Sequence, residues 1–186
     1  MKRGLVWLLI SVGLLFAGAN SQTAASRGRG GSLASRLLGP VRGVASSVQW
    51  IRFDSARRDG DYDLAYSRAE TAIRLNPNST AGWMLLARHL SFDRGAPGDG
   101  TDPQERAIWL NAGLEILERG KTVVSQPEEL AIAQGTFMAA QASLAPEDCV
   151  WPGGAKSCLE EAAKYFSEAG AADLAESALE LAGEFE

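Results

Sequence analysis

Two cysteines, Cys149 and Cys158, are the only thiols of the chain, with eight residues between them in Cys-Val-Trp-Pro-Gly-Gly-Ala-Lys-Ser-Cys. A pair at that spacing can close a small covalent loop. In a chain carrying an export segment, an even count reads as one disulfide, which would contribute about 2–3 kcal/mol by restricting the unfolded chain. Two buried free thiols are the alternative. A metal site would need two further ligands, and the single histidine, His89, stands far away in sequence, so no metal is expected. His89-Leu-Ser-Phe-Asp93 places an imidazole and a carboxylate one helical turn apart. A lone helical histidine is more commonly a surface or groove residue than a catalytic base, and that is the reading here. No Gly-x-Ser-x-Gly elbow exists, and Gly28-Arg-Gly-Gly-Ser32 has no strand before it, so it reads as linker and not as a phosphate loop. Paired acids at Glu128-Glu129 and Glu160-Glu161 fall at expected helix starts, where the helix dipole accounts for them. These residues predict neither an enzyme nor a cofactor.

With 186 residues and 46% apolar content, the chain can bury one real core. Its formal charge of −5 is unevenly spread. Residues 20–59 hold seven Arg against two Asp, a net of +5, and residues 60–186 hold nine basic against twenty-one acidic side chains, a net of −12. An acidic domain behind a basic stretch excludes a nucleic-acid partner, which needs cationic charge on the folded part. The basic stretch reads as a solvated linker or as a segment lying near anionic lipid head groups.

At the front, Lys2 and Arg3 precede an apolar run from Leu5 to Ala17 that is shorter than the roughly 20 residues a bilayer span needs. Ala17-Gly18-Ala19 then offers small residues for a signal peptidase, with cleavage before Asn20. Residues 1–19 therefore read as a signal peptide or an uncleaved anchor, the latter associating with a membrane through residues 5–19. No Cys follows the run, so a lipoprotein is not expected. Either way the domain is expected to be exported, to a periplasmic or extracellular space.

Residues 20–44 are expected to be a flexible basic linker, with Gly39-Pro40 breaking or kinking any helix there. Residues 45–186 read as all-α. A helix from about Ala45 to Arg58 stops at Asp59-Gly60, and the next carries Ala65, Ala69 and Ala72 on one stripe before Asn76-Pro77 ends it. A third helix opens at Thr80 with Trp83, Leu86, Ala87 and Leu90 on one face. After the stretch Asp93–Thr101, Asp102 caps a helix with Pro103 in its first turn and Glu105 three after the cap, running to Arg119-Gly120. Ser125-Gln-Pro-Glu128 is expected to cap a helix bearing Ala131, Gly135 and Met138. Ala162, Phe166 and Ala169 mark another, and Asp173 with Glu176 should cap a last amphipathic one bearing Leu174, Ala178 and Leu181. Trp83 and Trp109 fall at core spacing.

Gly60, Ala65, Ala69, Ala72 and Pro77 resemble the second half of a tetratricopeptide repeat, and Trp83-x-x-Leu86-Ala87-x-x-Leu90 resembles the first half of the next. The likeness is good from about Ser46 to Ser91 and fainter beyond. It implies a short solenoid of antiparallel helical hairpins behind the N-terminal segment, acting as an adaptor or scaffold in the cell envelope. It also implies a concave groove lined by Trp50, Asp54, Arg57, Arg58, Met84, Arg88 and Phe92. Arg forks suit carboxylates, so the implied partner is a protein segment that is acidic or ends in a free C-terminus. A tethered, self-associating structural protein and an accessory subunit of an envelope enzyme are the rival readings.

Overall fold

The structure, a computed structural model, describes residues 33–95 and 102–185, with side chains from residue 41 onward. The expected signal or anchor at 1–19, the linker as far as residue 32 and residues 96–101 of the expected long turn lie outside the described residues.

Every regular element among the described residues is helical: α1 (Leu33–Arg58), α2 (Tyr62–Leu75), α3 (Thr80–Arg88) continuing into a π-helical turn (His89–Arg94), α4 (Pro103–Lys121), α5 (Pro127–Leu144), a short 3-10 turn (Pro146–Asp148), α6 (Gly154–Glu168) and α7 (Ala172–Ala182). None of them is long and apolar enough to cross a membrane. The first helix departs from expectation. It begins at Leu33, not Ala45, and passes through Gly39-Pro40 without a break. A proline inside a helix removes one bond, to the carbonyl four residues back, and the turns on either side keep their own.

Gly60 takes the left-handed conformation, φ 75°, that stops α1, and the Asp61 carboxylate accepts the Leu64 N–H at 3.1 Å to start α2. The two helices run antiparallel: Ser46, early in α1, donates its hydroxyl to the Ala72 carbonyl late in α2 at 3.0 Å. Ala65, Ala69 and Ala72 are fully buried along this seam, where their missing bulk lets the backbones approach. Ser79 caps α3, and the Trp83 indole N–H donates to the Pro77 carbonyl at 2.8 Å, fixing the ring over the preceding turn. Asp102 caps α4 as expected, accepting the Gln104 N–H at 3.0 Å.

Within the π-helical turn the Gly95 N–H reaches back five residues to the Leu90 carbonyl at 3.1 Å. The wider winding turns the Ser91 carbonyl toward α5, where the buried Gln141 side chain donates to it at 3.0 Å. At this level α3 and α4 meet through Gly113, where a Cβ would stand 2.8 Å from the Ala87 carbonyl oxygen.

Two caps differ from expectation. The cap of α5 is Gln126, which makes no side-chain capping bond, so Ser125 is not the capping residue. That of α7 is Ala171, likewise without a side-chain bond, and Asp173 lies inside the first turn. The buried stripe of α7 is Ala175, Ala178 and Ala182, while Leu174 is exposed, because the tighter small-residue face packs on α6.

Buried apolar residues form two clusters. The first is bulky: Phe53, Trp83, Leu86, Leu90, Ile116, Leu117 and Leu130, with Trp50, Tyr66, Met84, Trp109 and Phe137 against its edge. The second is mostly small: Ala142, Ala155, Ala162, Ala163, Ala175, Ala178 and Ala182 around Leu159, Phe166, Met138 and Cys158.

Candidate functional site

The residues expected to line a groove divide by their immediate partners. On α1, Asp54 sits three and four residues before Arg57 and Arg58, so all three share one helix face. Arg57 reaches Asp54 at 3.1 Å and, across to the end of α3, Asp93 at 3.4 Å, while Arg58 pairs with Asp54. The Arg58 and Arg57 guanidinium groups hold the Asp54 carboxyl below the usual range, and Asp54 in turn raises Arg57. Two of the three expected arginines therefore already engage carboxylates of the chain itself. Arg88, exposed on α3, makes no ion pair among the described residues. An open depression of about 630 Å³ lies against α1, lined by Trp50, Ile51, Asp54, Ser55, Arg58 and Asp59.

Trp50 is only half exposed, because its ring packs edge-on against Phe53 at 5.4 Å and lies close over Gly82 of α3. Met84 packs partly buried against the first cluster. Phe92 meets Phe137 of α5 edge-on at 5.2 Å, so it joins α3 to α5. Met84 and Phe92 are thus as much packing as surface.

His89 overturns the reading of a surface or groove residue: it is 1% exposed. Phe53 stands edge-on to its ring at 5.2 Å and Tyr62 lies tilted at 5.5 Å, while Nδ1 bonds Asp93 Oδ2 at 2.9 Å and Nε2 has no partner. The sequence shows the i, i+4 pairing of His89 and Asp93 but not the aromatic walls, which come from α1 and the start of α2. Trp109 is likewise half buried at a rim and not in the core. Its face lies 3.9 Å from the Arg94 guanidinium carbon, and its indole N–H donates to Glu105 at 3.3 Å. Arg94 also pairs with Asp63 at 3.2 Å.

The expected thiol pair is brought together at the other end of the molecule. Cys149 follows the 3-10 turn and is half buried; Cys158 is fully buried in α6 and donates to the Met138 carbonyl at 3.3 Å. The two sulfurs lie within hydrogen-bonding reach of each other, yet the structure holds them as free thiols, not as the expected disulfide. Beside them stands Arg106, which the sequence reading passed over. Its phase with Leu110, Leu114 and Leu117 on the buried stripe of α4 was the available signal. Among the described residues no group of three His, Cys, Asp or Glu side chains could hold a metal ion.

Comparison with protein-family models, with curated proteins and with solved structures finds no match.

Proposed function

We propose that the chain is a protein-interaction module of the tetratricopeptide type, an adaptor of the cell envelope that receives a partner segment along α1, α3 and α5. The observation that carries this reading is side-chain contact between alternate helices. Arg57 reaches Asp93 and Phe53 meets His89 between α1 and the end of α3, while Phe92–Phe137 and Gln141–Ser91 join that end of α3 to α5. First helices of successive hairpins side by side are what a peptide-holding groove requires. Arg57 and Arg58 would meet a partner through a network that Asp54 and Asp93 already balance, so Arg88 is the cation best placed to choose an acidic segment.

Cross-linking tests the reading. A photo-reactive side chain at Arg88 should capture a defined protein in the native envelope, and Arg57→Ala with Arg88→Ala should abolish capture. The same probe at Arg74, on the exposed side of α2, should capture nothing. Equal capture from both positions would remove the groove. Where the partner's carboxylates are buried against these arginines, each lost pair should weaken binding by about 2–5 kcal/mol.

A self-associating tether is the second reading, favoured by one observation: Val41, Val44 and Ile51, at 59%, 61% and 71% exposure, form an open apolar stripe along α1. Sedimentation of the folded chain as a concentration-dependent dimer, abolished by Val44→Asp, would support it over the adaptor.

A further inference from the structure

Arg106 is 4% exposed, and among the described residues no carboxylate pairs with it. Its Nη2 donates to the Asp148 carbonyl at 2.6 Å, and its Nε has no partner. A buried guanidinium in that state is poorly compensated unless an anion lies near. Its charge falls on Cys149, the residue after Asp148. The Cys149 sulfur also receives the Cys158 S–H and the Trp151 backbone N–H. Three donors or positive charges thus converge on one sulfur that borders solvent, with the second sulfur sealed behind it.

We propose that Cys149 is a reactive thiolate, held by the buried guanidinium of Arg106 and resolved by Cys158, so that this corner of the molecule carries out thiol–disulfide exchange with small external disulfides. Cys149 is the sulfur an incoming disulfide meets first, because Cys158 is fully buried. The Cys149 thiolate attacks one sulfur of the external disulfide; a Cys149–external S–S bond forms, and the outer half leaves as a thiolate. Cys158 then loses its proton to that departing thiolate and attacks the Cys149 sulfur. The mixed bond breaks, the intramolecular bond forms, and the second half leaves as a thiolate that takes a proton from water. Two protein thiols are oxidised to one disulfide, and the external disulfide is reduced to two thiols.

The groups facing the pair are Arg106 from α4, with Cys158 and Glu161 from α6. The Cys158 S–H, then the Trp151 N–H and Arg106, outweigh burial and bring Cys149 down to about 6; the neighbouring Cys149 and burial push Cys158 up. That split is what an attacking and a resolving thiol need.

The test uses the reduced full-length chain. Iodoacetamide labelling from about pH 5 to about pH 9, mapped by mass, should place the first adduct on Cys149 with a rate half-maximal near pH 6. Arg106→Gln should move that midpoint up by at least about one unit toward the ordinary thiol value of about 8.5, and Arg106→Lys should move it less. Equilibration with oxidised and reduced glutathione should give a reversible Cys149–Cys158 bond, and Cys158→Ser should trap a glutathione adduct on Cys149. If the buried variants fail to fold, the wild-type arms decide alone. A wild-type midpoint near about 8.5 would overturn the proposal. So would first labelling at Cys158, or an intramolecular bond that never forms or that dithiothreitol cannot reduce in the folded chain.

Discussion

The two halves of the molecule solve the same packing problem with opposite materials. Around α1–α4 the core is filled by Phe53, Trp83, Leu86 and Leu117, and helices are held apart by rings that reach polar anchors, as Trp83 reaches the Pro77 carbonyl. Around α5–α7 the core is a run of alanines, and helices come close enough that Gly135 has Phe166 directly over it. The first half depends on volume being present, the second on volume being absent. Large-to-small changes should therefore discriminate in one half and small-to-large changes in the other.

The largest expected effect belongs to the bulky half. Trp83→Ala removes a ring that is 6% exposed and should cost about 3–5 kcal/mol in denaturant unfolding. A cost below about 1 kcal/mol would show that the first core closes over the gap, and the contrast would lose its basis.

Next comes the tight half. Gly135→Ala puts a Cβ 2.8 Å from Phe166 Cε1 and 3.0 Å from the Ala162 carbonyl oxygen, and should cost about 1–3 kcal/mol. The sign is diagnostic, because glycine to alanine inside an unconstrained helix stabilises by up to about 1 kcal/mol. Ala69→Leu carries the same expectation of about 1–3 kcal/mol into the α1–α2 seam. There a neutral result would confine close packing to the second half.

The join between the halves should respond more weakly. Lys121, at the end of α4, reaches Glu118 at 2.9 Å, Glu168 of α6 at 2.8 Å and the buried Gln134 of α5 at 3.3 Å. Lys121→Met frees two well-solvated carboxylates and leaves the Gln134 carbonyl oxygen short of one donor, a loss of about 1 kcal/mol. If stability instead rises, the join is apolar in character and its charges are incidental.

Smallest of all is the response to acid. Lys121, opposed by burial and aided by Gln134, holds the Glu118 carboxyl below its ordinary value, and Arg58 and Arg57 do the same for Asp54. A lowered folded value means that the contribution is present above the unfolded value of about 4 and is lost as pH falls through the folded one. Both carboxylates are well exposed, so solvent screening keeps the effect small. Comparing denaturation midpoints at about pH 7 and about pH 3, Glu118→Gln should flatten the slope slightly. An unchanged slope would show that the join does not sense acid.

The helices were legible where a residue acts on its own backbone. Gly60, Asp61, Ser79 and Asp102 set ends through local bonds, and the Ala65–Ala69–Ala72 stripe needed only the 3.6-residue period. Ser125 and Asp173 misled for the same reason: a capping pattern states what a side chain is able to do, and neither makes a capping bond here. Pro40 carried a local penalty that the rest of α1 absorbs. The site was harder, because its properties arise between elements. His89 is buried by Phe53 and Tyr62, more than 25 positions upstream, and Arg57 is occupied by Asp93. No periodicity within one helix reports that. The cysteines show both sides: their proximity follows from a short loop, while Arg106 reaches them from α4, in a different element altogether.

The π-helical turn at His89–Arg94 also bears on chain length as a mutable quantity. A turn closed over five residues accommodates one residue more than the α-helical turn it replaces, so the segment has the form of a single-residue insertion held in place by its surroundings. Gln141 holds it, by taking the Ser91 carbonyl that the wider winding offers. Deleting one residue here would let the helix close normally, but everything after the deletion would be rotated by roughly 100°. Phe92, Asp93 and Arg94 would then leave Phe137, Arg57 and Trp109 together. The count of residues between His89 and Gly95 is thus as constrained as their identities, and length variation that loops absorb freely should be barred from this one turn.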